Sequence, residues 1–87
     1  MVTENTTVIN AQGFHMRPAT VFVKEMGKFK SNITLEVGGK TVDAKSLMNI
    51  IAACIKCGTD VKIVCDGEDE SAALEKAVSM IKSGLGE

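Results

Sequence analysis

The chain has 87 residues, 45% of them apolar, and a formal net charge of −1. That length suits one domain with a modest core, and the apolar content excludes a disordered polymer. With no basic excess to displace phosphate counterions, direct nucleic-acid binding is not expected. The aromatic residues are three Phe, so the core must be filled by Val, Ile, Leu, Met and Ala. The N-terminal "MVTENTTVIN" lacks the basic and apolar regions of a signal peptide. The longest nearly apolar stretch, "LMNIIAACI", is far too short to span a bilayer. These features predict a cytoplasmic chain without membrane insertion. Cys54, Cys57 and Cys65 form no disulfide framework and are expected to be thiols.

Taken in chain order, "TTVIN" is a β-branched run and predicts the first strand. Ala19, Phe22, Val23 and Met26 recur at helical spacing, which predicts an amphipathic helix from Met16 to Met26, stopped by Gly27. "SNITLEV" sets Ile33, Leu35 and Val37 against Asn32, Thr34 and Glu36, a strand with one buried face. Gly38-Gly39 joins it to "KTVDA" as a tight hairpin. Ser46 opens a short apolar helix over Leu47 to Cys54. "DVKIVCD" alternates again, with Val61, Ile63 and Cys65 on one face. Leu74, Ala77, Val78, Ile81 and Leu85 mark a last helix, with Asp69 as its cap and Glu68 and Glu70 near its positive end. The order βαββαβα predicts an α+β fold, one mostly antiparallel sheet with helices on one face. Propensity alone leaves the strand order open.

"GFHMRPAT" holds the chain's one histidine, His15, its one arginine, Arg17, and its one proline, Pro18. The first turn of a helix leaves N–H groups without partners, and these attract an anion. Pro18 suits that turn because its missing N–H has no helical role there. Arg17 adds a guanidinium able to fork onto a phosphate. Gly13 permits an unusual approach of the backbone and keeps bulk from the ring. A neutral imidazole is a nucleophile, so the set can accept a phosphoryl group and hold it at the helix start. The plainer alternative is that a lone histidine here is a cap or a surface residue. With no GxxxxGK[ST] loop, no GxGxxG before a helix and no metal cluster, the phosphate would have to come from another protein. That describes a carrier, without cofactor or metal, more than an enzyme with its own substrate pocket.

Gly13-Phe14-His15-Met16-Arg17-Pro18-Ala19, then "NIT..GKTVDAKSLMNII", then Gly67-Glu68-Asp69-Glu70 together resemble the histidine-containing phosphocarrier (HPr) family of the bacterial phosphoenolpyruvate-dependent sugar phosphotransferase system. The resemblance spans nearly the whole chain. It implies an open-faced β-sandwich, a four-stranded antiparallel sheet with three helices on one face. It also implies that His15 takes phosphate on Nδ1 from enzyme I and passes it to sugar-specific IIA domains. Arg17 would steady the group, with Gly13, Met16 and Pro18 supporting the site. Phe14 and Met16 are bulkier than usual in that family, which bears on partner fit and on water access to phosphohistidine. Gln12 replaces a smaller residue, and Asn49 stands where glycine or lysine is frequent.

Ser46 is explained by N-capping alone, and a phosphate there would also sit well at a helix start. In low-GC Gram-positive members of the family the matching serine is phosphorylated by a dedicated kinase, and the product binds a catabolite-control transcription regulator. A matching phosphorylase activity would reverse the modification. Enteric members carry the serine without that role. The following helix is apolar nearly all round. Either it is wholly buried, or Leu47, Met48 and Ile51 form an exposed docking patch while Ile50 faces the core. Lys24 and Lys45 would rim that patch and steer acidic partners, whereas Lys28 reads as a solvated face. Cys54-Ile-Lys-Cys57 lacks the second ligand pair a zinc site needs, and it falls at a helix C-terminus, not the N-terminus that activates a thiolate. These thiols are expected to be small buried hydrophobes. Two functions stay open: a phosphoryl carrier, expected to be monomeric, and a regulatory binding module of the same fold governed at Ser46. The presence of His15 favours the first.

Overall fold

In the computed structural model, which describes residues 1–11 and 13–85, the elements are β1 (Val2–Thr7), α1 (Met16–Met26), β2 (Asn32–Val37), β3 (Lys40–Asp43), α2 (Leu47–Ala52), β4 (Asp60–Asp66) and α3 (Glu70–Lys82). The strands form one sheet in the order β1-β4-β2-β3, antiparallel throughout. This is the α+β class and element order expected from the sequence.

Alternation sets the two faces of the sheet. Ile33 and Leu35 of β2 and Val61, Ile63 and Cys65 of β4 are buried under the helices, and the polar residues between them line the open face. In register, Leu35 lies opposite Ile63, and Ile33 opposite Cys65. From above, α1 contributes Ala19, Phe22 and Met26, and α3 contributes Ala73, Ala77, Val78 and Ile81. Small alanines let α3 lie close over β1 and β4. Gly38 and Gly39, at φ of +55° and +83°, close a two-residue hairpin between Val37 and Lys40, as their sequence predicts.

Three elements differ from expectation. β1 occupies Val2–Thr7, not "TTVIN", because its ladder runs from Val2 opposite Cys65 to Thr7 opposite Asp60 and stops where β4 begins. Val8 then turns into the core. β-branching at Val8 and Ile9 does not extend the strand, because the chain before Asp60 is a turn and Val8 bonds to its Gly58 and Thr59. Second, α2 ends at Ala52, short of Cys54, which adopts a left-handed φ of +52° and breaks the helix. Third, Asp69 stands at the N-cap of α3 but makes no side-chain cap. Its carboxylate accepts the N–H groups of Lys30 (2.8 Å) and Ser31 (2.9 Å) and the Ser31 hydroxyl. It thereby ties the loop before β2 to the start of α3. These bonds, the Ser31 hydroxyl first, hold the Asp69 pKa down to about 2.

Candidate functional site

The loop from Val8 to His15 carries the chain from β1 to α1, and its shape follows from two local bonds and one to the turn before β4. Gly13 N–H donates to the Asn10 carbonyl at 3.0 Å, Phe14 N–H donates to the Ile55 carbonyl at 2.9 Å, and the Asn10 side-chain amide donates to the Gly13 carbonyl at 2.6 Å. Gly13 has φ of +63°, and a Cβ there would stand 2.3 Å from the Ile55 carbonyl oxygen. Its lack of a side chain therefore makes room for the Ile55–Lys56 backbone. The positive φ is the unusual backbone approach expected at this glycine. Phe14 is placed differently from expectation. It is 4% exposed and its ring meets Phe22 edge-on, centroids 5.2 Å apart. The aromatic bulk fills the core and cannot face a partner or shield the histidine from water.

His15 is the N-cap residue of α1, with extended backbone and no side-chain capping bond, and it is half-buried. Its carbonyl accepts Ala19 N–H at 3.0 Å, the first bond of the helix. Met16 and Arg17 thus present their N–H groups ahead of the helical ladder, and Pro18 has none. Pro18 is buried, whereas Met16 and Arg17 are exposed. His15 and Arg17 share a shallow concavity with Ile9, Asn10, Ala11, Ser83 and Gly84. The end of α3 therefore reaches the same hollow as the start of α1. Such a hollow, with amide donors, a guanidinium and an imidazole at its rim, can hold an anion and offer it a ring nitrogen. Gln12 lies outside the described residues.

Sequence reasoning passed over Asn10, a buried polar side chain that holds the turn into Gly13. An Asn three residues before a Gly between two elements is a turn signal, and the β-branched run before it concealed that.

Ser46 is the N-cap of α2. Its hydroxyl accepts Asn49 N–H at 3.3 Å, and its carbonyl accepts Ile50 N–H at 3.1 Å. Asn49 therefore serves the cap through its backbone. Among the α2 residues expected to dock partners, Met48 is 77% exposed, while Leu47 and Ile51 are half-buried and pack against the core. Ile50 is fully buried. Lys24 is exposed in the last turn of α1. The Lys45 ammonium is less available, since it donates to the Phe29 carbonyl at 2.7 Å. Lys28 pairs with Glu25 at 2.7 Å. The cysteines depart from expectation: Cys65 is buried, but Cys54 and Cys57 are exposed. With α2 ending at Ala52, both fall in the turn to β4.

The fold and the histidine's place define a small open-faced sandwich with an imidazole at the mouth of its first helix. Residues 2–83 match the family model described as the PTS HPr component phosphorylation site. The chain is 42% identical over 81 residues to the phosphocarrier protein HPr of Haemophilus influenzae, covering 93% of this chain and 95% of that one. The crystal structure of HPr-C-His from Thermoanaerobacter tengcongensis superposes with a TM-score of 0.96 at 38% identity, covering 100% of this chain and 98% of that one. The crystal structure of Crh from Bacillus subtilis, an intertwined dimer with a swapping domain, gives 0.77 at 38% identity over 97% of each chain. The chain belongs to the HPr family, the phosphocarriers of the phosphotransferase system. That is the family the three sequence motifs suggested. Among the described residues no helix is long and apolar enough to cross a membrane.

Proposed function

We propose that His15 is the phosphoryl acceptor and Arg17 the residue that steadies the transferred group. The chain would act in the cytoplasm as a single carrier domain, taking phosphate from enzyme I and yielding it to sugar-specific IIA domains. The observation that carries this reading is His15 at the N-cap of α1, half-exposed beside Arg17 and the first-turn amides. Gly13, Met16 and Pro18 support it: Gly13 by letting the loop seat on the Ile55–Lys56 backbone, Met16 by its leading amide, Pro18 by anchoring the first turn in the core. Met48, the half-buried Leu47 and Ile51, and Lys24 and Lys45 form the surface around which partners dock.

Incubation with phosphoenolpyruvate, magnesium and enzyme I, followed by intact mass measurement, tests the reading. One acid-labile phosphoryl group is expected on the native chain and none on His15→Ala. Addition to His15→Ala, or none to the folded native chain, would reject it. Ser46 carries the second, compatible reading. A serine kinase would phosphorylate it, a phosphorylase would reverse this, and the product would bind a catabolite-control transcription regulator. Its support is Ser46 at the N-cap of α2, two residues before exposed Met48. We take the working form to be a monomer, because β1 is paired along its length with β4 of its own chain. Light scattering at micromolar concentration should give a single monomer mass, and a dimer would place this chain with the swapped Crh.

A further inference from the structure

The turn between α2 and β4 is the bed on which the His15 loop lies. Val8 N–H donates to the Thr59 carbonyl at 3.0 Å, Gly58 N–H to the Val8 carbonyl at 2.7 Å, and Phe14 N–H to the Ile55 carbonyl at 2.9 Å. The Cys57 thiol approaches the Ile9 carbonyl at 3.7 Å, a weak sulfur hydrogen bond. Gly13 is pressed so closely on Ile55 and Lys56 that no Cβ fits between them. A shift of this turn cannot leave the His15 loop in place.

Both ends of Cys54-Ile55-Lys56-Cys57 are exposed thiols, and the middle is pinned by Ile55, which is 3% exposed. Cys54 already holds a left-handed backbone angle that a non-glycine residue seldom adopts. Nothing in phosphoryl transfer uses either sulfur. We propose that Cys54 and Cys57 are a redox-modification site: a small-molecule disulfide converts them to an intramolecular disulfide, and this slows phosphoryl acceptance at His15. The inference rests on His15 being the acceptor, as proposed above.

The Cys54 thiolate attacks one sulfur of the small disulfide and expels the other half as a thiolate. The Cys57 thiolate then attacks the mixed disulfide at the Cys54 sulfur and expels the second half. The two protein sulfurs lose two electrons, the small disulfide gains them, and the two protons leave with the released thiols. With only two residues between the sulfurs, closing the ring tightens the segment itself. That tightening acts on the Ile55 carbonyl, which accepts Phe14 N–H, and it removes the Cys57 S–H from the Ile9 carbonyl. Both changes reach the residues that set the imidazole. Cys65 serves as an internal control, because burial pushes its thiol pKa up and keeps it unreactive.

The reduced native chain is treated with excess glutathione disulfide, its mass is measured intact, and its initial rate of phosphorylation by enzyme I is compared before and after. The expected product has lost two hydrogens and carries no glutathione. Its rate should be lower by on the order of tenfold, as for other small displacements of a reacting group, and dithiothreitol should restore it. Cys54→Ser and Cys57→Ser cannot close the bridge, so neither should lose two hydrogens after oxidant, and Cys65→Ser should respond like the native chain. Glutathione adducts without a bridge would overturn the proposal, and so would a bridged protein with an unchanged rate. A reduced chain that accepts no phosphate would remove the acceptor reading, and the rate effect with it, while the mass still reads the bridge.

Discussion

Phe14 and Met16 flank His15 yet work on opposite sides of the fold. Phe14 points into the core against Phe22, and Met16 is 58% exposed at the start of the helix. Phe14→Leu should therefore cost stability, about 0.5–1.5 kcal/mol for the lost ring pair, with KM for enzyme I unchanged. Met16→Ala should do the reverse, leaving the urea midpoint in place while raising KM. Urea unfolding beside steady-state transfer kinetics separates the two, and a KM change in Phe14→Leu would mean its ring is not where we describe it. Gly13→Ala should be more severe than either. The left-handed angle alone costs roughly 1–2 kcal/mol in an alanine, and the Ile55 carbonyl stands 2.3 Å from the new carbon. Both stability and transfer should fall, because the loop must lift from its bed.

At the scale of elements, α2 depends on a few anchors. Six residues are too few for a helix to hold itself in water, so α2 relies on Ile50 in the core and Ser46 at its cap. Ser46→Ala should cost about 1 kcal/mol and speed amide exchange at Asn49, whose N–H loses its acceptor. Unchanged exchange there would mean that the cap contributes nothing. The sequence made α1, β2 and β4 legible because their periods of 3.6 and 2 run unbroken between clear stops. It misplaced β1 because pairing, and not β-branching, decides where a strand ends. It overextended α2 because no residue-level rule marks Cys54 for a left-handed turn, a conformation normally left to glycine. That turn also leaves Cys54, expected at the end of the helix, exposed to solvent. His15, which we propose as the acceptor, and Arg17 beside it stood out as a motif. The bed at Ile55–Lys56 did not, since it meets Gly13 and Phe14 only once β1 has paired with β4.

Across the whole molecule, carboxylates hold separate parts of the chain together, and this sets how it meets acid. Asp69 joins the loop before β2 to α3 and has a pKa of about 2 against an ordinary 3.8. The Lys28 ammonium, hydrogen-bonded to Glu25, draws the Glu25 pKa below its ordinary 4.5, and Lys76 of α3 reaches the same carboxylate at 3.5 Å. The Gly67 N–H likewise lowers Glu70. Each group binds its proton less readily folded than unfolded, so each stabilises the fold fully above the ordinary carboxylate range. That contribution is lost as pH falls through the folded value. The urea midpoint should stay level from about pH 7 to 5 and then drop steadily toward pH 2. Asp69→Asn should start from a lower plateau at neutral pH and lose much of its slope between about pH 4 and 2. High salt should weaken the Glu25 share, whose lysine partners are exposed and open to screening. It should leave the Asp69 share, made of direct hydrogen bonds to Lys30 and Ser31, largely in place. An Asp69→Asn variant with the native acid slope would show that the loop before β2 is not held to α3 by this carboxylate.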